Sequence, residues 1–372
     1  MTTGSPLTEV TSELLNPIAI GAGILGTGGG GNPYLGRIST QLIMGETGSV
    51  PVVPMHDLPD DALVVSAGGM GSPTIGIERV GTGLEGLRAL RALERHLGRR
   101  ATHITPGEIG GSNCIAPIRV AFQAGLPVVD CDAMGRAFPE LGMDTFAIYG
   151  IRPTPAALSD HHGHTVIFDD LADPDTLERY ARAVTIQMGG AAGYSFPPMT
   201  GAEVKRCGIA GTMTLALRIG EAVIAARRAH TDPIDATLGV TGGLRLFTGK
   251  ITDVDRRLVG GFARGSLTLD GAAGDTGRTL GISFQNENLI ATDETGRVIC
   301  SVPDLICIVD TESGEPITTE ILRYGLRVTV LGIPAPELIK TPKALQAVGP
   351  AAFGYPDVEY VPMAGVYGQP GA

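Results

Sequence analysis

Apolar residues in the first half of the chain follow two spacings that alternate along the sequence. Helical spacing relates five leucines that precede the helix-ending residue Gly98: Leu84, Leu87, Leu90, Leu93 and Leu97. A second helix is predicted from residue 113 to about residue 124. Short apolar runs that indicate buried strands lie at 50–53, 62–66, 102–105 and 126–129. Alternating strands and helices predict a mostly parallel sheet with flanking helices.

The pattern changes beyond about residue 170. Helical segments are expected over 174–230, and short strands separated by turn signals dominate 240–335. We therefore predict two domains. The first, 1–170, is an α/β domain with a glycine-rich ligand edge. The second, 171–372, begins with helices and ends in a β-rich part that forms a small barrel or sandwich.

Composition makes glycine the feature to explain. The 372 residues include 54 Gly and 26 Pro, yet 43% are hydrophobic and only 18% are charged. A chain of this kind can bury a core, so the excess glycine belongs to a folded protein and not to a disordered one. Glycines concentrate at 21–31, 68–71 and 107–111. The last two clusters each follow a predicted strand.

Two nucleotide-binding motifs fail in context. Gly21, Gly23 and Gly26 match the spacing G-x-G-x-x-G, but a predicted helix precedes them where a dinucleotide-binding fold needs a strand. Gly31 is followed by Asn32 and Pro33, which excludes the Lys-Ser/Thr of a phosphate-binding loop. The run 26–31 instead leads into a helix capped by Asn32. It predicts either a close ligand approach with anion-attracting amides or a tight connection between helices.

Charge and cysteine usage limit the partners and the compartment. The net charge is −11 and no long basic run occurs, which argues against nucleic acid and anionic membranes as partners. The N-terminus lacks the pattern of a signal peptide, and the five cysteines form no Cys-x-x-Cys pair. We expect a cytoplasmic homo-oligomer that acts on a small molecule.

The loops that follow the predicted strands bring polar residues to one sheet edge. Because the carboxyl ends of parallel strands share an edge, Glu108, Asp130 and Asp132 are predicted to meet there. These three are the catalytic candidates, since carboxylates activate water directly or through a metal. The substrate-binding candidates are Gly28, Gly29, Gly30, Gly31, Asn32, Gly69, Gly110, Gly111, Asn113 and Arg136.

Each candidate has a structural alternative. Glu108 could be an ordinary loop carboxylate, and an Asp after a strand often caps the next turn. Arg136 could grip a substrate carboxylate in bidentate fashion or form a structural ion pair. Cys131 lies between two carboxylates, which disfavours a thiolate nucleophile. No cofactor is fixed by these residues; a divalent metal stays open, with a weaker alternative at His161, His162 and His164.

Seven segments in order along the chain carry a resemblance to a known family. They are LGTGGGGNPYLG (25–36), PGEIGGSN (106–113), PVVDCDAMGRAFPEL (127–141), FQNENLIA (284–291), PDLICIVD (303–310), LRYGLRVTVLGIPAP (322–336) and VGPAAFGY (348–355). With these segments the chain resembles the S-methyl thiohydantoin desulfurase family. The resemblance implies an N-terminal α/β domain, a β-rich C-terminal domain, and hydrolysis at a thiohydantoin ring carbon with release of methanethiol.

Two functions are compatible with this reading. The first is a hydrolase for a small cyclic amide or S-methyl thiohydantoin, in which amides of 26–31 stabilise developing negative charge. The second is a non-catalytic partner subunit or small-molecule binding module of a hydantoinase or oxoprolinase system, since no standard catalytic motif is present.

Overall fold

The computed structural model describes residues 6–71, 73–79, 81–259 and 262–363. Two sheets organise these residues. The strands of the first are β1 (Glu9–Thr11), β2 (Ser49–Pro54), β3 (Leu63–Gly71), β4 (His103–Thr105), β5 (Val128–Asp132), β6 (Ala156–Ser159), β7 (Thr165–Phe168), β8 (Ala191–Thr200) and β9 (Ile209–Ala210). Their order is β1-β2-β5-β4-β3-β8-β6-β7, with β9 beside β5.

The first sheet is mixed. Strands β2, β5, β4 and β3 are parallel to one another. The pairs that β1, β6, β7, β8 and β9 make are antiparallel. The parallel part is therefore confined to four neighbouring strands, and the connections from β3 to β4 and from β4 to β5 contain α-helices, as parallel pairs require.

Helices cover the first sheet and link it to the second. They are α1 (Leu15–Leu25), α2 (Pro33–Met44), α3 (Pro73–Glu78), α4 (Glu85–Leu97), α5 (Ser112–Ala124), α6 (Thr145–Ile148), α7 (Pro174–Gln187), α8 (Gly201–Cys207), α9 (Thr212–Ala229), α10 (Pro233–Thr241) and α11 (Pro342–Val348). Asn32 caps α2 by accepting the Tyr34 N–H at 2.9 Å. Gly125, in the left-handed region at φ 71°, ends α5.

The second sheet is antiparallel throughout and curls into a half-barrel. Its strands are β10 (Leu244–Val259), β11 (Phe262–Gly271), β12 (Thr279–Gln285), β13 (Glu287–Asp293), β14 (Val298–Ser301), β15 (Leu305–Asp310) and β16 (Arg327–Ile333). The spatial order is β14-β13-β12-β11-β10-β16-β15. One face buries an apolar cluster that includes Phe247, Leu269 and Val330.

The predicted fold class is confirmed: an α/β part with a flanked sheet is followed by a β-rich part. Strands β1, β6, β8 and β9 of the first sheet were not predicted, and β8 is the longest of them. Strand β8 lies between β3 and β6, although residues 174–230 were expected to be helical. Its two adjacent prolines, Pro197 and Pro198, obscure the strand in the sequence, and they lie where the ladder with β3 shifts register. The domain limits at residues 170 and 171 remain a prediction.

Helix α1 connects the two halves. It packs against α9, where a Cβ on Gly21 would lie 1.9 Å from the Ala216 carbonyl oxygen. The glycines of the G-x-G-x-x-G match thus lie in and directly after a helix and permit close helix packing. The main apolar core contains Ile24 of α1 together with Cys307 and Val309 of β15. Among the described residues, no helix has the length and apolar character to cross a membrane.

Candidate active site

Two glycine loops meet backbone to backbone at the start of α5. The loop 26–31 follows α1, and the loop 107–111 precedes α5. The Ser112 N–H donates to Gly31 O at 3.1 Å, and the Asn113 N–H donates to Gly30 O at 3.3 Å. A Cβ on Gly30 would lie 2.4 Å from the Gly110 carbonyl oxygen. Only glycine allows this approach, so the loops act as interlocking structural parts.

The amides expected to attract an anion are largely engaged within the protein. The first two amides of α5 donate to the loop 26–31, as described above. The Gly29 N–H donates to Gly26 O at 2.8 Å, and the Gly30 N–H lies near the buried Glu287 carboxyl and lowers its pKa. These glycines therefore shape the site through close packing, and the expected role of their amides in stabilising charge is not supported for Gly29 and Gly30.

A cavity of about 630 Å³ opens beside the interlocked loops. Its walls come from α2, the ends of β3 and β8, the start of α5 and the turn between β12 and β13. Six of the predicted site residues line it: Gly30, Gly31, Asn32, Gly69, Glu108 and Asn113. The other predicted residues lie behind the cavity wall: Gly28, Gly29, Gly110, Gly111, Asp130, Asp132 and Arg136. The cavity has the size of a small-molecule site.

Glu108 and Asn113 form a relay on the cavity wall. The Asn113 side-chain oxygen accepts the Gly69 N–H at 2.9 Å. The Asn113 Nδ2 then donates to Glu108 Oε1 at 2.5 Å. The other carboxyl oxygen, Oε2, accepts the Phe138 N–H at 3.3 Å. The Gly69 amide thereby orients Asn113, and Asn113 orients the carboxyl group.

Burial is the main influence on the Glu108 carboxyl. The residue is 8% exposed, and desolvation raises its pKa to about 7 against the lowering effect of the Asn113 and Phe138 hydrogen bonds. Asp132 adds a smaller raising effect on this pKa, and Arg136 a smaller lowering one. A carboxylate with a pKa near the working pH is suited to act as a general base.

Glu287 is a second buried carboxyl at the same cavity, and the sequence analysis did not single it out. It is 2% exposed and begins β13 of the second sheet. Burial, followed by the proximity of Glu108, raises its pKa well above the ordinary value. The segment FQNENLIA contained the residue, but its proximity to the glycine loop is a tertiary contact that no local pattern predicts.

Asp130 holds the start of helix α9. Its Oδ1 accepts the Met213 N–H at 2.9 Å and the Thr214 N–H at 3.1 Å. Its Oδ2 accepts the Thr214 hydroxyl at 2.5 Å. The residue is 4% exposed and lies away from the cavity lining. The geometry gives Asp130 a helix-positioning role in place of the predicted activation of water.

Asp132 organises the loop that follows β5. Its Oδ2 accepts backbone N–H groups from Ile109, Met134 and Gly135 at 2.8, 3.0 and 2.8 Å. Burial raises its pKa to about 7. The residue is fully buried and caps the next turn, which was the structural alternative in the sequence analysis. Through Ile109 it also fixes the loop that carries Glu108.

Arg136 is an internal link and is fully buried. Its Nε donates to Ala137 O at 3.0 Å, and its Nη1 donates to Pro303 O and Asp304 O at 3.1 and 2.9 Å. Its Nη2 donates to Thr27 Oγ1 and Asn288 O at 2.9 and 3.2 Å. All five N–H donors of the guanidinium are therefore used. No donor remains for a substrate carboxylate, contrary to the predicted grip.

Arg119 is the arginine of α5 that does line the cavity. Its Nη1 donates to Ser39 Oγ at 3.3 Å. Its buried Nε has no hydrogen-bond partner among the described residues. Burial lowers the pKa of this guanidinium. Arg119 therefore has the unused donor that Arg136 lacks.

Among the described residues, the thiols and histidines form neither a reactive nucleophile nor a metal site. Cys131 is buried, and burial raises its pKa to about 12, which disfavours a thiolate nucleophile. His164 Nδ1 lies 2.8 Å from Asp160 Oδ2 in a surface turn. Within the described ranges, no group of three His, Cys, Asp or Glu side chains has the arrangement of a metal site.

Comparison with known proteins places this architecture in a family. The chain matches the model "S-Me-THD-like, N-terminal domain" over residues 13–170 and "S-Me-THD-like, C-terminal domain" over residues 172–363. A crystal structure of a protein from Chromobacterium violaceum shares the fold with a TM-score of 0.81 and 24% identity; the match covers 96% of this chain and 100% of that one. No curated protein matches. The chain belongs to the S-Me-THD-like family.

Proposed function

We propose that the protein is a hydrolase that removes the S-methyl group, as methanethiol, from a small S-methyl thiohydantoin-type ring. Water adds to the ring carbon that bears sulfur, the carbon–sulfur bond breaks, and the ring keeps a carbonyl oxygen. The observation that carries this proposal is Glu108, a buried carboxyl in the cavity with a pKa of about 7. Membership of the S-Me-THD-like family supports the choice of substrate.

Glu108 serves as the base in this proposal. In its ionised form it takes a proton from the attacking water, and Asn113 holds the carboxylate in place. Close packing of Gly30 and Gly31 against the loop 107–111 keeps this arrangement rigid. The reaction needs no group beyond water, the ring and carboxyl side chains.

Arg119 binds an acidic substituent of the ring in this proposal. It lies six residues after Asn113 on α5, a rise of about 9 Å along the helix. Both Glu108 and Arg119 line the same cavity, so a five-membered ring beside Glu108 can direct a short acidic arm towards Arg119. Its unused Nε matches a carboxylate, because a buried guanidinium is stabilised by an anion. In this proposal Arg119 takes the role that the sequence analysis gave to Arg136.

The test is release of methanethiol from an S-methyl thiohydantoin that carries a carboxylate arm. We expect turnover by the wild-type protein and a loss of about 10²- to 10⁴-fold in kcat for Glu108→Gln. Glu294→Gln, the same change in an exposed turn of the second sheet, is the control and should leave kcat unchanged. Stabilisation by the ligand without turnover would overturn the hydrolase and favour the binding module.

A further inference from the structure

The turn between β12 and β13 holds the chain on both sides of Glu287. Asn286 adopts the left-handed conformation with φ 57°. Its N–H donates to Ala263 O at 2.8 Å, and its carbonyl oxygen accepts the Thr319 hydroxyl at 2.6 Å. On the other side, the Asn288 N–H donates to Thr27 O at 2.8 Å. The second sheet thus presents Glu287 to the glycine loop from a fixed backbone.

The Glu287 carboxyl packs on bare glycine backbone. A Cβ on Gly29 would lie 1.9 Å from Glu287 Oε1, so only glycine leaves room for the group. The other oxygen, Oε2, is buried and has no hydrogen-bond partner among the described residues. Both Glu287 and Glu108 line the same cavity. Glu287 therefore brings a buried oxygen without a partner to the cavity wall. It comes from the second sheet, whereas Glu108 follows a strand of the first.

Two charged groups influence Glu287, and neither stabilises a second negative charge well. Glu108 disfavours it by like-charge repulsion. Arg136 is the cation with a compensating effect, but its five donors already bind three carbonyl groups of the second sheet, one of its own loop and a hydroxyl. Two buried carboxyls at one site hold one charge more easily than two. Glu287 is the one that keeps the proton.

We propose that Glu287 is the proton donor of the hydrolysis, giving its proton to the ring nitrogen while Glu108 activates the water. The inference rests on the proposed function and adds a catalytic residue to it. The acid comes from the second sheet and the base from the first. The site is thus complete only where the two halves of the molecule meet.

The protons balance over two steps. In the first, the water oxygen bonds to the ring carbon, Glu108 takes a water proton, and the carbon–nitrogen π electrons capture the Glu287 proton. In the second, the carbon–sulfur bond breaks and the carbon–oxygen double bond forms. Glu287 regains a proton from the hydroxyl group of the intermediate, and the proton on Glu108 leaves with the methanethiolate. Both carboxyls return to their starting forms.

The first test is the pH dependence of kcat/KM in Glu287→Gln. In the wild type we expect kcat/KM to rise through about pH 7, as Glu108 ionises, and to fall at higher pH as Glu287 loses its proton. The variant should lose 100-fold or more in kcat, keep a KM close to the wild-type value, and lack the falling limb. A falling limb that persists, or a kcat near the wild-type value, would overturn the proposal.

An infrared measurement separates this inference from the proposed function. At about pH 8, where burial still leaves Glu108 largely ionised because its pKa is about 7, the wild-type protein should show a carboxylic acid C=O band that Glu287→Gln lacks. Absence of that band from the wild type would overturn the proton donor whatever the activity. A band without methanethiol release would instead overturn the hydrolase.

Gly29→Ala provides a variant that leaves the carboxyl chemically intact. Its new Cβ must displace Glu287 Oε1, while Gly29 itself lies outside the left-handed region. We expect the infrared band to remain and kcat to fall by at least 10-fold, because a misplaced acid transfers protons poorly. Full kcat in Gly29→Ala, with the protein folded by circular dichroism, would contradict the assigned position.

Discussion

At the residue scale, Asn113 influences how readily Glu108, the proposed base, ionises. Its side-chain oxygen is committed to the Gly69 N–H, so its NH₂ group must face Glu108. That hydrogen bond lowers the pKa of Glu108, while burial raises it. The balance between the two places the pKa at about 7. The sequence predicted that Asn113 and Glu108 would share the site, but it contained no sign of the Gly69 contact that orients the amide.

Replacing Asn113 with aspartate tests this balance. Asn113→Asp exchanges a donor for a carboxylate next to Glu108, and like charge disfavours ionisation. We expect the rising limb of kcat/KM against pH to move up by about one pH unit. The measurement is the pH profile of methanethiol release, with Glu294→Gln as the control. A limb at the wild-type position would show that Asn113 does not tune the base.

Glu108 also makes the stability of the protein depend on pH. Its pKa is about 7 in the folded state against an ordinary 4.5. Between these values the folded protein holds a proton that the unfolded chain has lost, so the free energy of unfolding decreases as pH rises. The decrease amounts to about 3 kcal/mol once pH exceeds 7.

Glu108→Gln should remove this dependence. We expect the free energy of unfolding of the variant, measured with urea, to increase relative to that of the wild type as pH rises from about 5 to about 8. The raised pKa that suits Glu108 to its proposed role therefore lowers stability at neutral pH. A constant difference between the two proteins across this range would contradict the pKa assigned to Glu108.

At the element scale, the two glycine loops determine where α5 begins. Helix α5 was predicted from residue 113, one residue from its observed start, because apolar spacing and Gly125 are local signals. The contact between the loops could not be predicted in the same way. It joins Gly30 to Gly110, which lie far apart in the sequence with three strands between them, and only tertiary packing brings the two backbones together.

The contact predicts different costs for two glycine substitutions. Gly30 and Gly98 both lie in the left-handed region, at φ 73° and 66°. A Cβ on Gly98 meets nothing within 4 Å, whereas one on Gly30 would lie 2.4 Å from Gly110 O. Gly98→Ala should cost about 1–2 kcal/mol of unfolding free energy, from backbone conformation alone. Gly30→Ala should lose clearly more unfolding free energy in the same urea titration. Equal losses in the two variants would mean that the loops move apart at little cost in free energy.

At the scale of the whole molecule, Arg136 joins the two halves. Its donors reach Thr27 of the glycine loop and three carbonyl groups of the second sheet. The sequence predicted that Arg136 binds a substrate carboxylate, since an arginine after an acidic strand fits that role equally well. Burial distinguishes the two roles, and burial by a second sheet is not visible in local sequence. Glu287 was missed for the same reason, because it reaches the site from that sheet.

Arg136→Lys should therefore destabilise the protein although the charge is kept. An ammonium has three donors and no planar fork, so at least two of the five acceptors lose their partner. We expect a loss of at least about 2 kcal/mol in unfolding free energy. Arg257→Lys, at an exposed position of β10, should change it by less than about 0.5 kcal/mol. Similar values for the two variants would show that Arg136 does not hold the halves together.

The reach of Arg136 also has a consequence for how the protein is made. Its partner carbonyl group at Asn288 lies 152 residues further along the chain, and that at Pro303 lies 167 residues further. On the ribosome, the N-terminal sheet and Glu108 emerge long before the acid that completes the pair. With the roles proposed above, a half-finished chain holds the base without its acid. Methanethiol release would then begin only when synthesis has passed the second sheet, and it would report that both halves have been made and joined.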